Sequence, residues 1–175
     1  MIRSSILRPA LALTVTLALT GGDVGAAYAA SRCLTPSEKT AFHVRMLQTE
    51  LMVATLTCRG MSKHDFSRQY GSFVETHRSG LKTYSEVFQS HFKRSYGGGG
   101  QTQMDRYVTS LANDYSRASM VGQGAFCDQQ GPLFEKAASV TPKDLPSFAA
   151  ERAEGRALGV PNCGEPAKPK PAAKK

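Results

Sequence analysis

Residues 35–58 read TPSEKTAFHVRMLQTELMVATLTC, and their reading decides the fold. Thr35 has the chemistry of a helix N-cap. Pro36 stands at the first helical position, where a missing amide costs nothing, and Glu38 lies three residues on to complete a capping box. Val44, Leu47, Leu51, Ala54 and Cys58 then recur at three- and four-residue steps. Met46, Met52, Val53 and Leu56 widen the apolar surface nearly around the cylinder, which predicts a central helix that runs to Cys58 or Arg59 and stops at Gly60.

Such a rod constrains the cysteines. Cys33 and Cys58 flank it, and at 1.5 Å per residue they stand on the order of 35 Å apart. A disulfide needs Cα atoms about 5.5 Å apart, so a straight first helix excludes that pair. The remaining chain supplies the partners. Tyr70, Val74, His77, Leu81, Tyr84 and Phe88 step by four and three, flanked by Phe66, Phe73 and Phe92, which predicts one long second helix from near Ser62, bent at Gly71 or Gly80. Gly97 to Gly100 end it in a flexible turn. They are not a phosphate loop, which requires a preceding strand and a Gly-Lys-Ser/Thr.

A third helix is expected from Thr102 to about Val121, with Met104, Tyr107, Val108, Leu111 and Tyr115 inward, and a fourth from about Ala125 to Ser139, interrupted at Gly131-Pro132. Thr141-Pro142-Lys143-Asp144 repeats the first capping signature, and Pro146 makes that turn irregular; a short fifth helix ends near Gly155. No segment alternates as a strand does. The class is all-α: an up-and-down helical bundle of four main helices plus a short fifth. In that order Cys127 opens helix four at the same end as Cys58, which favours Cys58 with Cys127 and leaves Cys33 with Cys163. The competing use of four cysteines, a structural zinc site, wants close C-x-x-C pairs, and none occurs.

The address of the chain is read at its N-terminus. Arg3 and Arg8 precede an apolar run from Ala10 to Leu19, and Ala27-Tyr28-Ala29 offers a small-x-small cleavage site, so residues 1–29 are expected to be a secretory signal peptide. The apolar run is shorter than the roughly 20 residues of a membrane-spanning helix, and no second apolar run follows, so no membrane span is expected. Residues 30–163 then form one domain, and 164–175 a disordered tail of proline, lysine and alanine. The expected location is periplasmic or secreted, where cysteines pair.

The formal charge of +8 suggests nucleic-acid binding until it is located. Part of it belongs to the leader and part to Lys168, Lys170, Lys174 and Lys175 of the tail. Within the domain the charges are interspersed, with neither an arginine stripe nor an aromatic platform, so no nucleic-acid partner is expected. The tail lysines are the expected contact with an anionic envelope surface, at about 1 kcal/mol per cation, or they simply solubilise the end of the chain.

Glu50 is the candidate functional carboxylate. Met46, Leu47, Val53 and Ala54 surround it at helical spacing, so burial would raise its pKa and suit it to general-acid work; alternatively it pairs with a tyrosine, histidine or arginine of a neighbouring helix. His43 shares its face but stands about 10 Å away along the axis. His77 lies in the apolar stripe of helix two. His64 and His91 complete the histidines, none at a metal-ligand spacing. Tyr70, Tyr84 and Tyr96 with His77 and His91 read as either a ligand groove or, more ordinarily, core. No nucleophile elbow, metal set or cofactor motif is present, and no catalytic residue, metal or cofactor is assigned.

The runs LQTELMVATLTC and YGSFVETHR, a long helix and a later AFC resemble small exported bacterial helical proteins with paired cysteines, over Cys33 to about Cys127. The resemblance implies an envelope address and brings no activity with it. The expected function is a non-enzymatic binding or interaction protein of the cell envelope, with two rivals. One is a small-ligand-binding protein or enzyme using Glu50 and a histidine. The other is an accessory subunit of an envelope assembly.

Overall fold

The capping box at Thr35 forms. The Glu38 amide donates to the Thr35 hydroxyl, and the Thr35 amide donates to the Glu38 carboxylate at 2.8 Å. The helix it starts, α1, spans Pro36–Thr57 with Pro36 in its first turn. Cys58 is its C-cap, and Gly60 takes the left-handed φ of 75° at which the chain turns away. The computed structural model describes residues 32–60 and 63–164. The leader of residues 1–29, Ser62, and the tail lysines Lys168, Lys170, Lys174 and Lys175 lie outside the described residues.

The second helical stretch is two helices, α2 (Phe66–Thr76) and α3 (Arg78–Tyr96). The break falls at His77 (φ −101°, ψ 10°), not at Gly71 or Gly80 as expected. Packing explains the shift. Phe66 and Phe73 of α2 join a cluster with Leu133, Phe134 and Ala137, whereas Phe88 and Phe92 of α3 join one with Phe42 and Tyr107. The partners change over just past the break: Leu81 of α3 still belongs to the first cluster, and Tyr84 packs against both. Gly71 is exposed with open space around it, so nothing there demands a bend. At Gly80 a Cβ would meet Leu145 at 3.7 Å, an ordinary van der Waals contact, so nothing there demands glycine either.

A 3-10 turn, Gly97–Gly99, leads into α4 (Gly100–Met120). Here glycine is required: a Cβ at Gly100 would stand 2.8 Å from the Phe92 carbonyl and force α3 and α4 apart. α5 (Gln123–Ser139) carries Pro132 inside it without interruption, contrary to the expected break. Its neighbour Gly131 lets the His64 ring approach to where a Cβ would be 2.8 Å from Nε2.

The last helix, α6, spans Leu145–Arg152. The second capping signature does not start it. The Thr141 hydroxyl donates to the Asp144 carboxylate at 2.6 Å and the segment forms a turn. With Thr141 as cap, Pro146 would fall where an amide must bond back into the helix; starting at Leu145 moves it into the first turn, where none is needed.

Among the described residues, α1 packs against each of the other five helices. Counting α2 and α3 as one broken helix, the chain makes, among the described residues, four main helices in up-and-down order and a short fifth. Two disulfides hold it, Cys33–Cys163 with Cα atoms 4.8 Å apart and Cys58–Cys127 with 5.5 Å. They close separations of 130 and 69 residues at opposite ends of α1, long enough for each to contribute about 4 kcal/mol in the chain-entropy account. Beside the first, the Leu34 amide donates to the Pro161 carbonyl and the Cys163 amide to the Leu34 carbonyl, pairing the two chain ends as a single bridge. No helix among the described residues is long and apolar enough to cross a membrane.

The apolar positions of α1 fill the core: Val44, Leu47, Leu51, Ala54 and Cys58 are buried, as are Met46 and Val53. Leu56 departs from the expected all-round coat and is 69% exposed. At the lower end Phe42, Phe88, Phe92 and Tyr107 pack ring on ring at 4.7 to 5.9 Å between centroids.

Candidate functional site

Two carboxylates of α1 are buried, and each meets an arginine from far along the chain. Glu50 is 2% exposed. Its Oε1 accepts from Arg152 Nη2 at 2.6 Å and its Oε2 from Arg152 Nε at 3.0 Å, a fork-to-fork pair. α6 delivers Arg152 from its last turn, leaving the outer part of that side chain open to solvent. The hydrogen bond to Glu50 holds the Arg152 guanidinium above its ordinary value. Buried Tyr115 stands in the same layer. Burial, and then the Glu50 charge, push its hydroxyl well above the usual phenol range, and Arg156 lies over its ring at 4.7 Å. The alternative in which Glu50 pairs with a neighbouring arginine is the arrangement present. No histidine is among its hydrogen-bond partners among the described residues.

Glu38 was read from sequence only as a capping residue, yet it is the more elaborately held of the two. Arg94 of α3 donates from Nη2 to both of its oxygens at 2.9 Å and from Nε to Oε1 at 3.2 Å. His91 Nδ1 lies 3.4 Å from Oε1, and the Thr35 amide supplies a further donor. Burial pushes the Glu38 carboxyl upward, but the Thr35 amide, Arg94 and His91 outweigh it and hold it below the usual carboxylate value. Arg94 also donates to the Cys33 carbonyl at 3.0 Å, tying the cluster to the disulfide that joins the chain ends. His91 is 1% exposed; burial lowers its pKa, Glu38 opposes this and Arg94 adds to it, so the imidazole is neutral at neutral pH. The sequence signal was present: His91 and Arg94 share one face at the far end of helix two, and up-and-down order returns that end to the start of α1.

The other histidines are held apart. His77 sits at the helix break, 1% exposed, its ring 4.7 Å from Phe73 and neither nitrogen hydrogen-bonded; burial lowers its pKa. His43 is half-buried, its pKa lowered by burial and by Lys39. His64 stacks on Phe66 at 5.5 Å. No group of three or more His, Cys, Asp or Glu that could hold a metal occurs among the described residues. Tyr70 and Tyr84 pack against the main core and Tyr96 stacks on Phe92, so these rings meet core side chains. The hollow between α3 and α4 is lined instead by Glu86, Gln89, Ser90, Lys93, Gln101 and Met104, under the glycine turn.

All four cysteines are in disulfides, and Cys58 and Cys127 are 2% and 1% exposed. Such pairing is what an oxidising compartment favours. Compared with protein-family models, curated proteins and solved structures, the chain matches none.

Proposed function

We propose that the chain is an exported, disulfide-stapled helical protein of the cell envelope or exterior that acts by binding a partner rather than by chemistry. One observation carries this reading: the two buried carboxylates of α1 and the cysteines are spent on holding the fold together. Both oxygens of Glu50 and of Glu38 are engaged by arginine, and each cysteine is in a disulfide. General acid-base work needs a group free to exchange a proton with substrate, and cysteine nucleophilic work needs a free thiolate. The leader pattern of residues 1–29 and the two disulfides support the address.

The test uses the protein as processed by its own cell. Its intact mass from an envelope extract should correspond to a chain beginning at Ala30 less four hydrogens. Immobilised, it should retain an envelope component saturably, and equally well after Glu50→Gln. A full-length cytoplasmic chain with free thiols would remove the address. Turnover of an extract component that stops with Glu50→Gln would replace binding by catalysis.

A further inference from the structure

The apolar seam between α1 and α4 fixes how these two helices lie against each other. At its lower end Phe42 meets Tyr107, 5.1 Å between ring centroids. Higher up, Met46, Val53, Leu111 and Tyr115 share one buried cluster, with Met52 and Ala112 at its edge. The two helices therefore run the same way. Leu56, in the last turn of α1, and Met120 and Val121, at the end and C-cap of α4, therefore lie at one end of the bundle. There Leu56 is 69%, Met120 74% and Val121 92% exposed, the large apolar side chains most open to solvent among the described residues. The end is fixed in place: the Gln123 side chain donates to the Thr57 carbonyl at 2.9 Å, and Cys58–Cys127 ties α1 to the first turns of α5.

Two cations lie beyond the end of α1, beside Cys58. Arg59 and Lys63 are exposed and have no ion-pair partner among the described residues. Asp65 and Asp114 are paired with Arg68 and Arg117, and Asp128 is the carboxylate of this end without an ion pair among the described residues. We infer that the tip seats in the interface of an anionic bilayer, with Leu56, Met120 and Val121 among the acyl chains and Arg59 and Lys63 at the headgroups.

Two arguments select lipid over protein. A stable dimer buries about 800 Å² on each partner, from twenty or more residues, and three side chains fall well short. Protein hot spots are built on tryptophan, tyrosine and arginine, with leucine and valine under-represented, whereas a bilayer asks only for apolar area flanked by positive charge. The inference rests on the envelope reading above and names a surface for it that is separate from the tail lysines.

The chain has no tryptophan, so Val121→Trp places a single reporter at the tip. With the mature, oxidised protein and vesicles of equal phosphatidylglycerol and phosphatidylcholine, its emission should shift to the blue. The shift should be absent with phosphatidylcholine alone and be reversed by 0.5 M salt. In sedimentation, Met120→Asp with Val121→Asp should lower vesicle binding about tenfold without moving the thermal midpoint, since both side chains are exposed. Replacing Lys168, Lys170, Lys174 and Lys175 by glutamine should lower it less. Binding unaffected by the tip variant overturns the inference, as does a concentration-dependent dimer that the tip variant abolishes. Failure to bind vesicles by an exported protein that still retains an envelope component overturns the inference alone; a reduced, cytoplasmic chain overturns the envelope reading as well.

Discussion

Glu38 and Glu50 stand twelve residues apart on one helix, roughly 18 Å along its axis, and both are held by an arginine, yet the two sites are built on different terms. Glu38 lies in the first turn, where backbone amides have no helical partner and the helix dipole favours negative charge. It draws on the Thr35 amide, Arg94 and His91 together. Glu50 lies mid-helix, where every amide is already used. Arg152 is its one hydrogen-bonding partner among the described residues, and its surroundings are apolar. A charge at a helix start is over-determined, whereas a charge in the middle of a buried helix depends on one side chain.

The largest expected effect follows from that dependence. Arg152→Met leaves the Glu50 carboxylate buried and unpaired, which costs about 3 kcal/mol or more and lowers the thermal midpoint by about 10 °C. Replacing both partners with apolar residues, Glu50→Leu with Arg152→Met, should return stability to within about 1 kcal/mol of the parent, because the penalty belongs to the unmatched charge. A double variant no more stable than Arg152→Met would mean that the pair contributes something that packing cannot replace.

The same contrast separates what was legible in the sequence from what was not. α1 was legible because capping box, proline position and apolar spacing all agree locally, and once it is a rod the disulfide pairing follows from lengths alone. The His77 break was not. Glycine marks where a backbone is free to bend, but the bend is placed by Phe66 and Phe73 having one set of neighbours and Phe88 and Phe92 another. Pro132 misled in the same way, since tertiary packing holds α5 through it. Glu50's burial was readable from its neighbours at helical spacing, and a neighbouring arginine was one of the partners considered, but Arg152 sits in the sequence AAERAEG, which looks like any solvated helix end. Glu38 was hidden by its own capping role, which accounts for one hydrogen bond and conceals the three from Arg94.

A smaller effect is expected at the better-supplied site. Arg94→Met removes three hydrogen bonds to Glu38 and one to the Cys33 carbonyl, but leaves the capping box, the helix start and His91 in place. Arg94 and Arg152 are about equally exposed, at 41% and 39%, so the difference between the sites lies in the donors that remain on each carboxylate. The cost should be about 1–2 kcal/mol by denaturant melting, less than that of Arg152→Met, with both disulfides still formed. If Arg94→Met proves the costlier of the two, the amide and imidazole are not sharing the load and the comparison fails.

Acid should separate the two sites most gently. His91 and His77 both have folded pKa values below the ordinary histidine value of 6.5, chiefly through burial. The unfolded chain therefore takes up protons first as pH falls, and stability declines from about neutrality downward until the folded histidines titrate. Glu38 acts lower in the scale: its depressed pKa contributes stability above 4.5 that is lost as pH falls through its folded value. Stability should therefore decline between pH 7 and 5, and His77→Phe should remove part of the decline, because that ring has no carboxylate to answer its proton. Within the native state, the Arg94 Hε resonance, on the Glu38 oxygen that His91 also faces, should move with the imidazole titration. The Arg152 Hε resonance, with no histidine against its carboxylate among the described residues, should not follow the imidazole titration; equal movement of the two would show that protonation at the Glu38 end is transmitted along α1 to Glu50.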